Sequence, residues 1–257
     1  MGQKRQLLLR FLADHPLCCF CAGKENAATK DHLPPRSVFV EKKCPEGYIF
    51  PACASCNQGS SRDDMLVGFL SRWNAGREPT ATEQREWKTL LLAFNEHYPG
   101  QANLMLPTAR ERRNWMEKHS LSKPEGTAYG ELPIIKIPPL IHGAIDRFNA
   151  KLTKALHYKH SGRIIPPGAW IRIQWWTNAH FIANEFPKEL TEVITGRTQL
   201  KRGTVTLDDQ YSYNYAVSDD GAHGMYLSYF REVFCLLGMV VFDGKQMKDL
   251  EQNVRSS

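Results

Sequence analysis

The chain reads as an α+β protein: a cysteine-stapled hairpin and helix, then a helical segment, then a C-terminal α+β domain. Three observations predict this. Two C-x-x-C pairs, Cys18/Cys21 and Cys53/Cys56, bracket a segment with strand character. Two helix-start signatures follow, at Thr80/Glu83 and Thr108/Glu111. After a Pro- and Gly-rich stretch, a long amphipathic run gives way to alternating, aromatic-rich runs. The expected divisions are 1–76, 77–122 and 123–257.

Taken in order, residues 5–14 form a short amphipathic helix. Residues 27–33 and 47–51 form two strands around a turn-rich loop with Pro45 and Gly47. A helix from about Ala54 to Trp73 follows, because Met65, Leu66, Phe69, Leu70 and Trp73 recur at helical spacing, and Asn74-Ala75-Gly76 stops it. Thr80 opens a helix that Pro99-Gly100 ends, and Thr108 opens a shorter one rich in Arg110, Arg112, Arg113 and Lys118. Residues 120–139, with Pro124, Gly126, Gly130, Pro133, Pro138 and Pro139, read as a linker. Ile141, Ile145, Phe148, Leu152 and Leu156 line one side of a helix near 141–160. Strands follow at 170–176, 210–217 and 235–242, giving the C-terminal half its own core.

The 257 residues, 42% hydrophobic and 11% aromatic, are enough to bury a core without special staples. No apolar run reaches the length of a spanning helix. The basic then apolar start, Met1 to Leu9, is broken by Arg10 and Asp14 and lacks a cleavage site, so an export signal is rejected and a cytoplasmic location expected. The net charge of +6 permits a polyanionic partner without requiring one.

Seven cysteines without an export signal favour a metal over disulfides. Each C-x-x-C knuckle can present two thiolates from one tight turn, and the two together supply the four sulfurs of a closed tetrahedral Zn²⁺ site. Cys19 competes with Cys18 as a ligand, but Cys18 gives the matched spacing. Cys44 and Cys235 read as plain buried thiols.

Between the knuckles lies Lys30-Asp31-His32-Leu33-Pro34-Pro35, and just past the second lies Asn57. Phosphodiester hydrolysis needs a base for water and a cation for the developing charge. A neutral histidine can be that base. Asp31 and Asn57 offer a carboxylate and a carbonyl oxygen, the ligand type that Mg²⁺ or Mn²⁺ prefers. On a strand Asp31 and His32 point to opposite faces, and a break at Pro34 would let both reach one phosphate.

The stretch Thr29-Lys30-Asp31-His32-Leu33-Pro34-Pro35, with Pro51-Ala52-Cys53-Ala54-Ser55-Cys56-Asn57-Gln58-Gly59, resembles the HNH endonucleases, in their bacterial and phage variants with a paired C-x-x-C zinc site. The likeness covers about residues 18–75, under a quarter of the chain. It implies a ββα-metal finger in which Asp31 and Asn57 hold the catalytic ion and His32 is the general base. It admits a role in phage defence. Two departures stand out: no Asn occurs in Pro45-Glu46-Gly47-Tyr48 to orient the base, and Ser60, Ser61 and Arg62 stand where many relatives have a lysine.

Asp63 and Asp64 read as a solvated charge pair, with Asp64 as an outer metal ligand the alternative. Lys30, Arg36 and Arg62 are the candidate phosphate contacts. Arg147, Lys151, Lys154, His157, Lys159 and His160 share a helix and read as a solvated basic face, or else one that tracks phosphates. Trp170, Trp175 and Trp176 read as packing rather than base-stacking residues. The expected function is a metal-dependent nucleic-acid endonuclease or nickase, on DNA first, with a possible protein partner for the C-terminal half. The alternative is a catalytically decayed zinc-finger module.

Overall fold

A computed structural model describes residues 2–73, 78–132 and 134–243. The helix stop at Asn74-Ala75-Gly76 and the linker's Pro133 lie outside the described residues. Helix α1 (Gln3–Asp14) leads to strands β1 (Thr29–His32) and β2 (Ile49–Ala52), which pair antiparallel with Asp31 opposite Phe50 and His32 opposite Ile49. Helices α2 (Ala54–Gly59), α3 (Ser61–Ser71), α4 (Ala81–His97), α5 (Gln101–Leu104) and α6 (Ala109–Lys118) follow, then the long α7 (Pro139–Ser161). The remainder is β3 (Trp170–Thr177), α8 (Asn178–Ile182), α9 (Glu189–Val193), β4 (Gly196–Arg197), β5 (Lys201–Arg202), β6 (Val205–Thr206), β7 (Ser212–Val217), β8 (His223–Phe230) and β9 (Phe234–Val241). Five of these strands form an antiparallel sheet in the order β3-β9-β8-β7-β4, and the fold is α+β.

Both capping boxes form: Thr80 and Thr108 accept from the backbone of Glu83 and Glu111, whose carboxylates bond back. The single helix expected from Ala54 to Trp73 is broken at Ser60. The Ser60 hydroxyl lies within hydrogen-bond reach of the Asn57 carbonyl and of Asp64, and Ser61 donates to the Gln58 carbonyl. These local bonds offer the backbone an alternative to continuous helix. Strand β8 was not expected from the sequence, because its apolar residues do not alternate cleanly.

Helix α7 organises the molecule. It packs on β3, β8 and β9 and also on α3. Its Asn149 amide donates to the carbonyls of Gln174 and Leu237, both at 3.0 Å, and so ties the helix to adjacent strands. Gly238 permits this approach, because a Cβ there would collide with Thr153. The main hydrophobic cluster runs from Cys18, Leu33 and Phe50 through Phe69 and Phe148 to Tyr211 and Val240. The C-terminal half therefore shares its core with the hairpin. A satellite cluster of Trp176, Phe186, Ile194, Leu227, Cys235 and Leu237 stands apart from it. Among the described residues, no helix is long and apolar enough to cross a membrane.

His157 lies wholly inside this shared core, with Nδ1 3.0 Å from the Tyr226 hydroxyl. Burial pulls its pKa down to about 4. The unfolded chain takes up this proton near pH 6.5, and the folded chain does so only near 4. Stability conferred by the neutral ring is whole above pH 6.5 and is lost as pH falls toward 4, by about 3 kcal/mol at most. The melting temperature should drop across that interval, and His157→Gln should flatten the drop. Parallel curves for the two proteins would place the acid sensitivity elsewhere.

Candidate functional site

The two knuckles converge. The sulfurs of Cys18, Cys21, Cys53 and Cys56 lie within 4.8 Å of one another. Four thiolates about 2.3 Å from one zinc would stand about 3.8 Å apart, so this cluster could hold a zinc ion. Cys18 belongs to the cluster and Cys19 does not, in keeping with the matched spacing. Cys53 is the N-cap of α2, and its sulfur accepts from the Cys56 N–H at 3.5 Å. The Phe20 N–H reaches the Cys18 sulfur at 3.4 Å. Both turns thus aim backbone donors at sulfur, which suits thiolates. Cys44 and Cys235 are buried away from it.

One strand beyond the first knuckle, Asp31 is buried at 6% exposure, whereas its neighbour His32 is half-buried. The alternation of β1 turns them to opposite faces. Asn57, on α2, donates through its amide nitrogen to the Thr29 hydroxyl at 2.9 Å. Its carbonyl oxygen, the end that could ligate a cation, is left without a protein donor among the described residues.

Asp31 meets a group from far away in sequence. The Lys151 ammonium of α7 stands 2.7 Å from Asp31, 3.1 Å from Asp64 and 2.5 Å from the Ser60 hydroxyl. Two carboxylates thus share one ammonium in a buried pocket. Burial pushes the Asp64 carboxyl up to about 6, against the pull of Lys151. Asp63 is also buried, and Arg147 grips it through two bonds of 2.7 and 2.9 Å. The expectation of a solvated Asp63-Asp64 pair is therefore overturned: α7 covers both.

The expectation of a solvated basic face on α7 fails for Lys151 and His157, which are buried, while Arg147 stays exposed. Arg147 and Lys151 take the two aspartates, Lys154 bonds the Phe20 carbonyl, and Lys159 bonds that of Gly47. His160 stacks on Tyr215 at 3.7 Å. This face is a clamp on the hairpin. Trp176 is buried and Trp175 half-buried, with its indole donating to Asp146 at 3.1 Å.

The three candidate phosphate contacts are placed differently. Lys30 bonds the Leu7 carbonyl and lies over Phe11, docking α1 to the hairpin. Arg62 bonds the His97 carbonyl and lies over Tyr98 at the end of α4. Only Arg36 reaches the site, with its guanidinium 2.9 Å from His32 Nε2. A guanidinium has no lone pair to offer, so Nε2 must accept, and the neutral ring carries its proton on Nδ1. Burial and the Arg36 charge hold His32 below its ordinary pKa.

Sequence reasoning placed Lys151 on a basic helix face and missed its burial against Asp31 and Asp64. A signal existed: Lys151 lies three residues after Phe148 and one before Leu152, on the apolar side of its helix. A cation in such a stripe needs a buried partner. No family model, curated protein or solved structure matches the chain.

Proposed function

We propose that the protein is a metal-dependent endonuclease or nickase that hydrolyses phosphodiester bonds of nucleic acid, DNA foremost, on a ββα-metal module stapled by zinc. The observation that carries this reading is the buried pairing of Asp31 and Asp64 on one ammonium, with Asn57 bonded to Thr29 of the same strand and the half-buried His32 next in sequence to Asp31. A zinc held by four thiolates is closed to substrate, so the chemistry belongs to the oxygen ligands. Asp31 and the Asn57 carbonyl would hold Mg²⁺ or Mn²⁺, with Asp64 outside them. Two carboxyl groups stand there against the one Lys151 ammonium. Such a metal ion supplies electrostatic stabilisation of the phosphoryl charge and of the leaving oxygen.

The chain's own residues do the rest. His32 takes the proton of the attacking water, as the water oxygen bonds to phosphorus and the bond to the leaving oxygen breaks. At rest Arg36 masks Nε2. A substrate phosphate draws a guanidinium strongly, and Arg36 moving to it would bare the lone pair that serves as base.

Plasmid nicking tests this reading. Supercoiled DNA should be cut with Mg²⁺ or Mn²⁺, and not with zinc alone or with EDTA. Asp31→Ala and Asn57→Ala should raise the Mn²⁺ concentration needed for half-maximal cutting at least about tenfold while keeping the zinc. Normal cutting by both at limiting metal would overturn the ligand assignment. A second reading rests on Lys151, whose ammonium already bridges the carboxylates: a module that binds nucleic acid and cuts nothing. Retention of DNA without nicking in either metal would favour it.

A further inference from the structure

A cleft of about 410 Å³ opens between α6, β3 and α8, away from the hairpin. Its volume falls in the range of small-molecule sites. Its apolar lining includes Trp115, Trp175, Ile134 and Ile137. Its polar groups are mostly cationic or donating.

Arg112, on α6, lines this cleft and is nine-tenths buried. Its Nη1 donates to the Gly130 carbonyl at 3.0 Å, but its Nε is buried with no partner. No carboxylate pairs with it among the described residues. The adjacent Glu111 is taken by Lys136 at 2.6 Å and by the Thr108 N–H at 2.7 Å. A buried guanidinium without a counter-charge is costly, and proteins ordinarily pair it.

Two more donors face the same space. Lys136 lines the cleft, and so does His180. The Thr177 N–H donates to His180 Nδ1 at 3.1 Å, so that nitrogen is the acceptor. The neutral ring then carries its proton on Nε2, which is left to donate.

We propose that this cleft is a binding site for a planar aromatic oxyanion, with its carboxylate or phosphate on Arg112 and its ring against Trp115 and Trp175. The unpaired charge of Arg112 attracts either oxyanion, and indole faces stack on flat π-systems. The site owes nothing to the nuclease reading.

Calorimetric titration of the full chain settles it, with 5′-AMP and indole-3-acetate as the two anionic probes and adenosine, indole and inorganic phosphate as controls. At least one anion should bind about tenfold or more tighter than its neutral counterpart and than phosphate. Which anion binds separates a nucleotide from an aromatic carboxylate. Arg112→Met should abolish that preference and, without ligand, should melt no lower than the parent, since it removes an uncompensated buried charge. Lys136→Met, at an exposed position, should weaken the anion several-fold and keeps the test valid if Arg112→Met does not fold. If neither anion outbinds its neutral counterpart, or if both variants bind as the parent does, the site is refuted and Arg112 is structural.

Discussion

Removing zinc should unfold the hairpin end of the molecule and lower the melting temperature by at least about 10 °C. A two-stranded hairpin is marginal in water, and β1 and β2 pair over only four residues each. What closes it is the thiol cluster, which joins the segment before β1 to the start of α2. Structural zinc sites in small fingers contribute about 10–16 kcal/mol of apparent binding free energy. Whole domains have a net stability of only about 5–15 kcal/mol, so loss of an ion held there should unfold this end. Elemental analysis should find one zinc per chain. Cys53→Ser should lose it and melt early, while Cys19→Ser should retain it. A chelated protein that melts as the parent does would show that the four thiols hold no metal.

His32→Ala should cost about two to four orders of magnitude in cleavage rate, the usual contribution of a positioned base. The variant should keep its zinc and its melting temperature, because the ring is half-buried and, among the described residues, hydrogen-bonds only the exposed Arg36. It should also still bind DNA, since phosphate contacts come from cations. Added imidazole should restore part of the rate. An early-melting His32→Ala that cuts at the parent's specific rate would make the histidine structural, and β1 offers no second base.

What could be read in the sequence is what local spacing encodes. Two C-x-x-C pairs identify Cys18, Cys21, Cys53 and Cys56 as one cluster, and apolar periodicity locates α7 to within two residues at either end. The break at Ser60 was hidden because a serine hydroxyl competes for helix carbonyls only in some contexts. The partners of Asp31, Asp63 and Asp64 were hidden because they come from α7, across more than eighty residues. Charge alone cannot distinguish a solvated basic face from a clamp. The apolar neighbours of Lys151 carried the distinction, and they weigh only once the helix's packing side is known.

The bond between Lys151 and Asp31 bears on how such a gene can change. Residues 120–139 read as a joint in the sequence, yet Leu132, Ile134 and Ile135 within them are buried. A crossover there would deliver the hairpin without α7. Asp31, Asp63 and Asp64 would arrive with no counter-charge, and the recipient would inherit a core open on one side. A substitution that removes the Lys151 ammonium should therefore leave Asp31 and Asp64 without that counter-charge unless they change with it.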